Sequence, residues 1–208
     1  MIGRLHILTD FHFQQRLSHA EIARFAIEGG ADTIQFRQKT GNVRHILREA
    51  GRVATICRES EVLFLVNDGV SIAQAVGAGG VHLGLDDFPI VDARTILGPD
   101  PVIGATATTL EQALRAQDLG ADYIGFGPVF STGSKSSPAS IKGISGLTEV
   151  CCHLTIPVLA IAGITPERVR PVLEAGAHGV AIMTSVTVSE DPRAVTASIR
   201  EEIEKYAP

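Results

Sequence analysis

The chain has no tryptophan among its 208 residues, and only two tyrosines, two methionines and eight phenylalanines. Glycine and small aliphatic residues take the place of aromatics, a composition that suits a parallel sheet buried on both faces. Cysteine is also scarce. Cys57, Cys151 and Cys152 are odd in number and have neither metal-type nor redox-type spacing. The adjacent Cys151 and Cys152 are poorly placed for an ordinary disulfide, so a reducing cytoplasm is the simple reading. There is no excess of positive charge. The formal net charge of −5 argues against nucleic acid or an anionic membrane surface as the main partner, although local cations can still hold a small anion. No apolar run is long enough to cross a bilayer, and the N-terminus leads straight into Leu5-His6-Ile7-Leu8 without a signal-peptide pattern. No linker or low-complexity stretch divides the chain, so one domain is expected.

One pattern recurs four times: Gly30-Ala31-Asp32-Thr33-Ile34, Gly77-Ala78-Gly79-Gly80-Val81, Gly120-Ala121-Asp122-Tyr123-Ile124 and Gly176-Ala177-His178-Gly179-Val180. Each reads as a helix end, a glycine free to turn left-handed, and a short buried strand. The copies are spaced by roughly two β-α units. Four copies therefore predict eight strands and eight helices, closed as a single-domain (β/α)8 TIM barrel over residues 1–208. Leu5 to Leu8, Leu63 to Val66, Val102 to Ala105 and Pro157 to Ile161 supply the intervening strands. Helical spacing runs from Arg44 to Ile56 and from Leu110, and Thr165 before Pro166 predicts a helix start capped by its hydroxyl. Residues 127–143 are too long and polar for a plain βα turn and are expected to form a lid.

Barrels of this kind carry their chemistry at the carboxyl ends of the strands. After the second strand, Gln35, Arg37 and Lys39 alternate onto one face. Two adjacent cations there read either as a grip on a phosphate, or as a pair of surface cations or partners for helix acids. Asn67-Asp68 follows the third strand, and His82-Leu83-Gly84 leads into Asp86-Asp87 after the fourth. Carboxylates from neighbouring strand ends suit Mg²⁺, and helix capping is the other reading. Capping is preferred for Asp86, Asp87 stays open between the two, and His82 reads as a satisfied barrel histidine. Thr106 and Thr108 could donate to an anion, Thr109 reads at least as well as an N-cap, and Thr132, Ser134 and Lys135 offer hydroxyls and a cation in the lid. The segment from Gly127 to Lys135 lacks the GxxxxGK[ST] spacing of a phosphate loop. Ala162-Gly163 and Met183-Thr184-Ser185 occupy the usual phosphate corner, by fold analogy alone. There is no Cys–His pair at the strand ends and no Ser–His–Asp set. The inventory points to chemistry that expels or transfers a phosphorylated group.

Five motifs in order then resemble one family. They are Ile34-Gln35-Phe36-Arg37-Gln38-Lys39, Asn67-Asp68, Val81 to Asp87, Gly125-Phe126-Gly127-Pro128-Val129-Phe130-Ser131-Thr132-Gly133-Ser134-Lys135, and Ile161-Ala162-Gly163-Ile164-Thr165. Along nearly its whole length the chain resembles thiamine phosphate synthase, a family that also includes the thiazole tautomerases. The resemblance implies joining of a 4-amino-2-methyl-5-(hydroxymethyl)pyrimidine diphosphate to hydroxyethyl-thiazole phosphate. Diphosphate leaves first, and the thiazole nitrogen captures the pyrimidine methyl cation. It also implies Asp68 and Asp87 as Mg²⁺ ligands, and Arg37, Lys39 and Lys135 as catalytic diphosphate contacts beside Asn67 and Thr106. Gln35 falls near the pyrimidine, and Thr132, Ser134, Gly163 and Thr184 fall on the thiazole-phosphate side with Met183 next to them. The implied partners are these two small molecules, with no nucleic acid or membrane, and the sequence is compatible with a homo-oligomer.

The chain departs from the family pattern at Gly69, where an Arg is usual; at Thr108, where many relatives carry His; at Ala162, where Gly is common; and at Ser131, where Pro is usual. The tautomerase reading leans on that histidine for proton transfer, and threonine is a poor general base near neutral pH. A non-catalytic binder of thiazole or thiamine phosphate would need phosphate contacts but not the Asp68 and Asp87 pair.

Overall fold

Eight short parallel strands close on themselves in sequence order. The computed structural model describes residues 2–12, 14–132 and 140–206. The order is β1 (Leu5–Thr9), α1 (His19–Glu28), β2 (Thr33–Phe36), α2 (Val43–Glu59), β3 (Leu63–Asn67), α3 (Val70–Val76), β4 (Gly80–Leu83) and α4 (Ile90–Leu97). It continues with β5 (Val102–Ala107), α5 (Leu110–Asp118), β6 (Tyr123–Phe126), α6 (Gly143–His153), β7 (Val158–Ile161), α7 (Pro166–Glu174), β8 (Gly179–Ile182), α8 (Thr184–Thr187) and α9 (Pro192–Glu204). Pairing of β1 with β8, Leu5 opposite Val180, seals the barrel. Among the described residues no helix is long and apolar enough to cross a membrane.

The four glycines of the repeat end helices as expected, with φ of 91° at Gly30, 63° at Gly77, 91° at Gly120 and 95° at Gly176. The eightfold unit differs from expectation after β8. A single turn of helix, α8, precedes α9, and the chain restarts because Asp191 accepts from the Ala194 N–H at 2.9 Å with Pro192 in the first turn. Other starts are local too: Asn42 caps α2 through the His45 N–H at 2.9 Å, and Thr109 caps α5 through the Gln112 N–H at 3.2 Å.

Strand alternation sorts the core into two regions. Ile7, Ile34, Phe36, Phe64, Val66, Ile103, Ile124 and Val180 face outward into one apolar layer with the helices. Leu65, Tyr123 and Leu159 face inward and, with Ile2, fill the barrel floor. Truncating a buried leucine such as Leu65 to Ala would cost about 2–5 kcal/mol. Tyr123 fits because residue 104 is glycine: a Cβ there would lie 2.1 Å from the phenol ring. Above this floor the interior turns polar, and that is where the site begins.

Backbone strain gathers where strands deliver their ends to the mouth. Asp68 has φ 64° and Ala162 has φ 81°, both in the left-handed region, and Gly163 follows with φ 65°. The usual glycine at position 162 thus has a conformational reason, and the alanine here adopts the same backbone at a cost. We predict that Ala162→Gly raises stability by roughly 0.5–1 kcal/mol, relief of the left-handed strain outweighing the freer unfolded chain. A urea titration that shows a loss instead would refute this account of the β7 exit.

Two buried histidines make the fold acid-sensitive. Burial, reinforced by His82, lowers His6 to about 3; burial lowers His19 to about 4, with Asp10 and Glu49 pulling partly back. Above pH 6.5 both are neutral in the folded and unfolded chain, so their stabilisation is complete there. As pH falls from about 6.5 toward 3–4, the unfolded chain takes up protons that the folded barrel refuses, and stability drops. The urea midpoint should decline across that window, less steeply in His6→Gln; equal slopes would show that His6 is not responsible.

Candidate active site

The strand ends open into a cavity of about 790 Å³ at the C-terminal face of the barrel. Gln35, Arg37, Lys39, Asn67, Asp68, Asp87, Thr106, Thr132, Gly163, Met183 and Thr184 all line it. The structure therefore brings together every expected site residue that it describes. Ser134 and Lys135, with the rest of residues 133–139 of the expected lid, lie outside the described residues.

The charges of this mouth are organised in pairs. Arg37 is bonded to Asp10, a carboxylate only 2% exposed at the end of β1, and Lys39 is bonded to Asp68. The two cations are thus neither a bare anion grip nor loose surface charges: each is anchored by its own acid and retains further N–H donors. Asp10 was not expected from the sequence. The available signal was its position immediately after β1. Its other oxygen accepts from the His12 N–H at 2.5 Å, which ties the following loop to the ion pair.

Asp68 and Asp87 meet each other. The Asp68 N–H donates to His82 O at 2.8 Å, continuing the β3–β4 pairing, and the left-handed turn then aims the carboxylate across to β4. The Gly84 N–H donates to Asp87 Oδ2 at 3.0 Å. A Cβ at position 84 would lie 2.3 Å from that oxygen, so glycine makes the approach possible. Burial and contact with Asp87 push Asp68 above the usual carboxylate range, against the pull of Lys39. Asp87 goes the other way: against its own burial it is held low by Asp68, Lys39, the Gly84 N–H and His82. Two acids forced into one space without enough positive charge are the donor set of a cation site. Among the described residues no group of three or more His, Cys, Asp or Glu is placed to hold a metal. Two carboxylates suit Mg²⁺, which completes its shell with water and substrate phosphate.

Neither acid caps the next helix. Pro89 occupies the N-cap of α4 and no side chain bonds there, which corrects the preference for capping at Asp86 and settles the open choice at Asp87 against it. Thr165 does sit at the N-cap of α7, but its hydroxyl makes no capping bond and meets the exposed Glu167 carboxylate instead. Thr108 spends its hydroxyl on Gln112 Oε1 at 2.9 Å and its N–H on the same oxygen at 2.8 Å. It is therefore part of the α5 start. Gly69 has an ordinary φ of −78°, and a side chain there would press on Ile72, whose Cγ1 lies 3.2 Å from a built Cβ.

Beneath the acids runs a hydrogen-bonded file. Gln35 bonds to Tyr123, Tyr123 Oη to His82 Nδ1 at 2.8 Å, and His82 Nε2 to Thr106 Oγ1 at 2.9 Å. Burial pushes the Tyr123 phenol well up, so it stays protonated. With Gln35 donating to the phenol oxygen, the phenol proton faces Nδ1 and the imidazole proton faces Thr106. The Thr106 hydroxyl then keeps its own proton for a ligand. His82 is the satisfied barrel histidine that the sequence suggested. Tyr123, by contrast, read only as part of a strand, because inward placement depends on barrel register.

Comparison with known proteins identifies the family. The family described as thiamine monophosphate synthase matches residues 5–186. The chain is 57% identical over 203 residues to the thiamine-phosphate synthase of Salinibacter ruber, covering 98% of this chain and 89% of the relative. It is 42% identical over 202 residues to that of Methanocella arvoryzae, covering 97% and 95%. Among solved structures, thiamine phosphate pyrophosphorylase from Pyrococcus furiosus superposes with a TM-score of 0.90 at 38% identity, covering 99% of this chain and 97% of the other. A protein of this length, barrel and degree of identity belongs to the thiamine monophosphate synthase family.

Proposed function

We propose that the protein is a thiamine-phosphate synthase, a transferase that joins the pyrimidine diphosphate to hydroxyethyl-thiazole phosphate and releases diphosphate. The observation that carries this reading is the convergence of Asp68, Asp87, Lys39 and Arg37 on one cavity from adjacent strand ends. Such a set matches a leaving group that gains negative charge as its bond to carbon breaks. Asp68 and Asp87 would hold Mg²⁺, which when bound supplies Lewis-acid stabilisation of the departing diphosphate. Arg37 and Lys39 bind the phosphoryl oxygens, with Asn67 and the Thr106 hydroxyl completing the contacts and Lys135 joining from the lid segment. Gln35 orients the pyrimidine above Tyr123. Thr132, Ser134, Gly163, Met183 and Thr184 receive the thiazole phosphate. Closure of the 127–143 segment would keep water from the cation formed on ionisation. The enzyme is cytoplasmic in this reading. Association into a homo-oligomer is compatible with this reading.

The tautomerase alternative is disfavoured by Thr108, whose hydroxyl is occupied by Gln112. A non-catalytic binder is disfavoured by the acid pair, which serves phosphate recognition poorly without a cation.

Incubation of the protein with both precursors and Mg²⁺ should release diphosphate and form thiamine phosphate, while the tautomerase substrate is left unchanged. Turnover of the latter alone would reverse the assignment. Asp87→Asn should lower kcat/KM by about 100-fold or more. The same substitution should lower the metal-free thermal midpoint slightly, because the Asp87 charge is favoured by Lys39 and the Gly84 N–H, although Asn keeps an acceptor for that N–H. A variant that retains activity would remove Asp87 from the site.

A further inference from the structure

The cavity has a second positive pole, on the far side from β2. Among its described lining residues the lysines and arginines are Arg37, Lys39 and Arg168. The first two follow β2; Arg168 lies in the first turn of α7, and β8 and β1 separate β7 from β2 around the barrel. Arg37 and Lys39 are paired with acids. The acids lining the cavity, Asp68, Asp86 and Asp87, all follow β3 and β4. Glu167, beside Arg168 in sequence, is fully exposed and bonded to Thr165.

The guanidinium of Arg168 is held from two directions. Its Nη1 donates to Gly163 O at 2.6 Å, and its Cζ lies 4.7 Å from the centroid of the Phe130 ring. Phe130 is in turn fixed to the β7 exit, its N–H donating to Ala162 O at 3.2 Å. One N–H is used by Gly163, leaving the others of the planar fork open. Thr165, Thr184 and Ser185 line the same end of the cavity. Among the described residues no acid makes an ion pair with Arg168, although the exposed Glu167 feels its charge, and a clamped cation at the hydroxyl-bearing end of the cavity suits a phosphate monoester.

We propose that Arg168 is the cationic contact for the phosphate of the second substrate and makes this end of the cavity select the phosphorylated thiazole over its free alcohol. The proposal rests on the synthase reading for the identity of that substrate. It gives the cavity two separate anion sites, one for diphosphate at β2–β4 and one for a monoester at β7–β8, with the reacting carbon and nitrogen meeting between them.

Arg168 is exposed, so substitution should not disturb folding, and matching thermal midpoints check this. Titration calorimetry on the full chain with hydroxyethyl-thiazole phosphate, its unphosphorylated alcohol and inorganic phosphate tests the contact. Wild type should favour the phosphate ester over the alcohol, and Arg168→Gln should shrink that preference by about tenfold, with Arg168→Lys in between. In turnover, Arg168→Gln should raise KM for the thiazole phosphate by about tenfold and leave KM for the pyrimidine diphosphate within about twofold. An unchanged ester-to-alcohol preference, or equal increases in both KM values, overturns the proposal. Should the wild type form no thiamine phosphate at all, the synthase reading fails by itself. The inorganic phosphate arm then decides for Arg168: affinity lost in Arg168→Gln upholds the contact, and unchanged affinity overturns it.

Discussion

Two carboxylates that repel each other are held in contact, and much of the upper barrel exists to keep them so. Asp68 reaches its partner through a left-handed backbone at φ 64°, a conformation that costs a non-glycine residue on the order of 1–3 kcal/mol. Asp87 comes close because residue 84 has no side chain to obstruct it. Lys39 offsets part of the repulsion, and the β3–β4 pairing continues through the Asp68 N–H to fix the approach. Strain and like charge are thus stored at one point of the mouth.

The rest of the mouth follows from that concentration of charge. Arg37 is kept pointing inward by Asp10, which lies almost wholly out of solvent. Below it, the file from Gln35 through Tyr123 and His82 to Thr106 gives the interior a fixed sense of donors and acceptors. The bonds along this file hold its members in fixed orientations, while the buried Gln35 Oε1 has no partner among the described residues. Across the barrel, the β7 and β8 exits carry hydroxyls and a single clamped arginine instead of acids. The two halves of the rim therefore differ in character: one gathers acids paired with cations, the other hydroxyls and one arginine.

Several features were legible residue by residue. The Gly-Ala turns announced the strands because a helix that must reverse needs a glycine at positive φ, and that requirement is local. Gln35, Arg37, Lys39, Asn67, Asp68 and Asp87 were legible because they stand directly at strand ends, where the barrel rule applies. Asp10 stood in an equally informative place but carried no motif to distinguish it. Thr165 and Asp86 misled, since a capping residue type beside a helix start does not by itself make the bond. Arg168 sits inside a helix whose exposed face is rich in charge, so nothing in its neighbours separates it from a solvated residue.

The sequence by itself determined the eightfold alternation, the shared face of Gln35, Arg37 and Lys39, and which residue types would crowd the carboxyl ends. These depend on periodicity and on backbone preferences that span a few residues. Only the closed barrel decided which polar groups touch: Arg37 with Asp10 across 27 positions, Lys39 with Asp68 across 29, and His82 with Tyr123 across 41. Electrostatic pairing acts over a few ångströms through space. It is therefore set by strand order and register rather than by nearness along the chain.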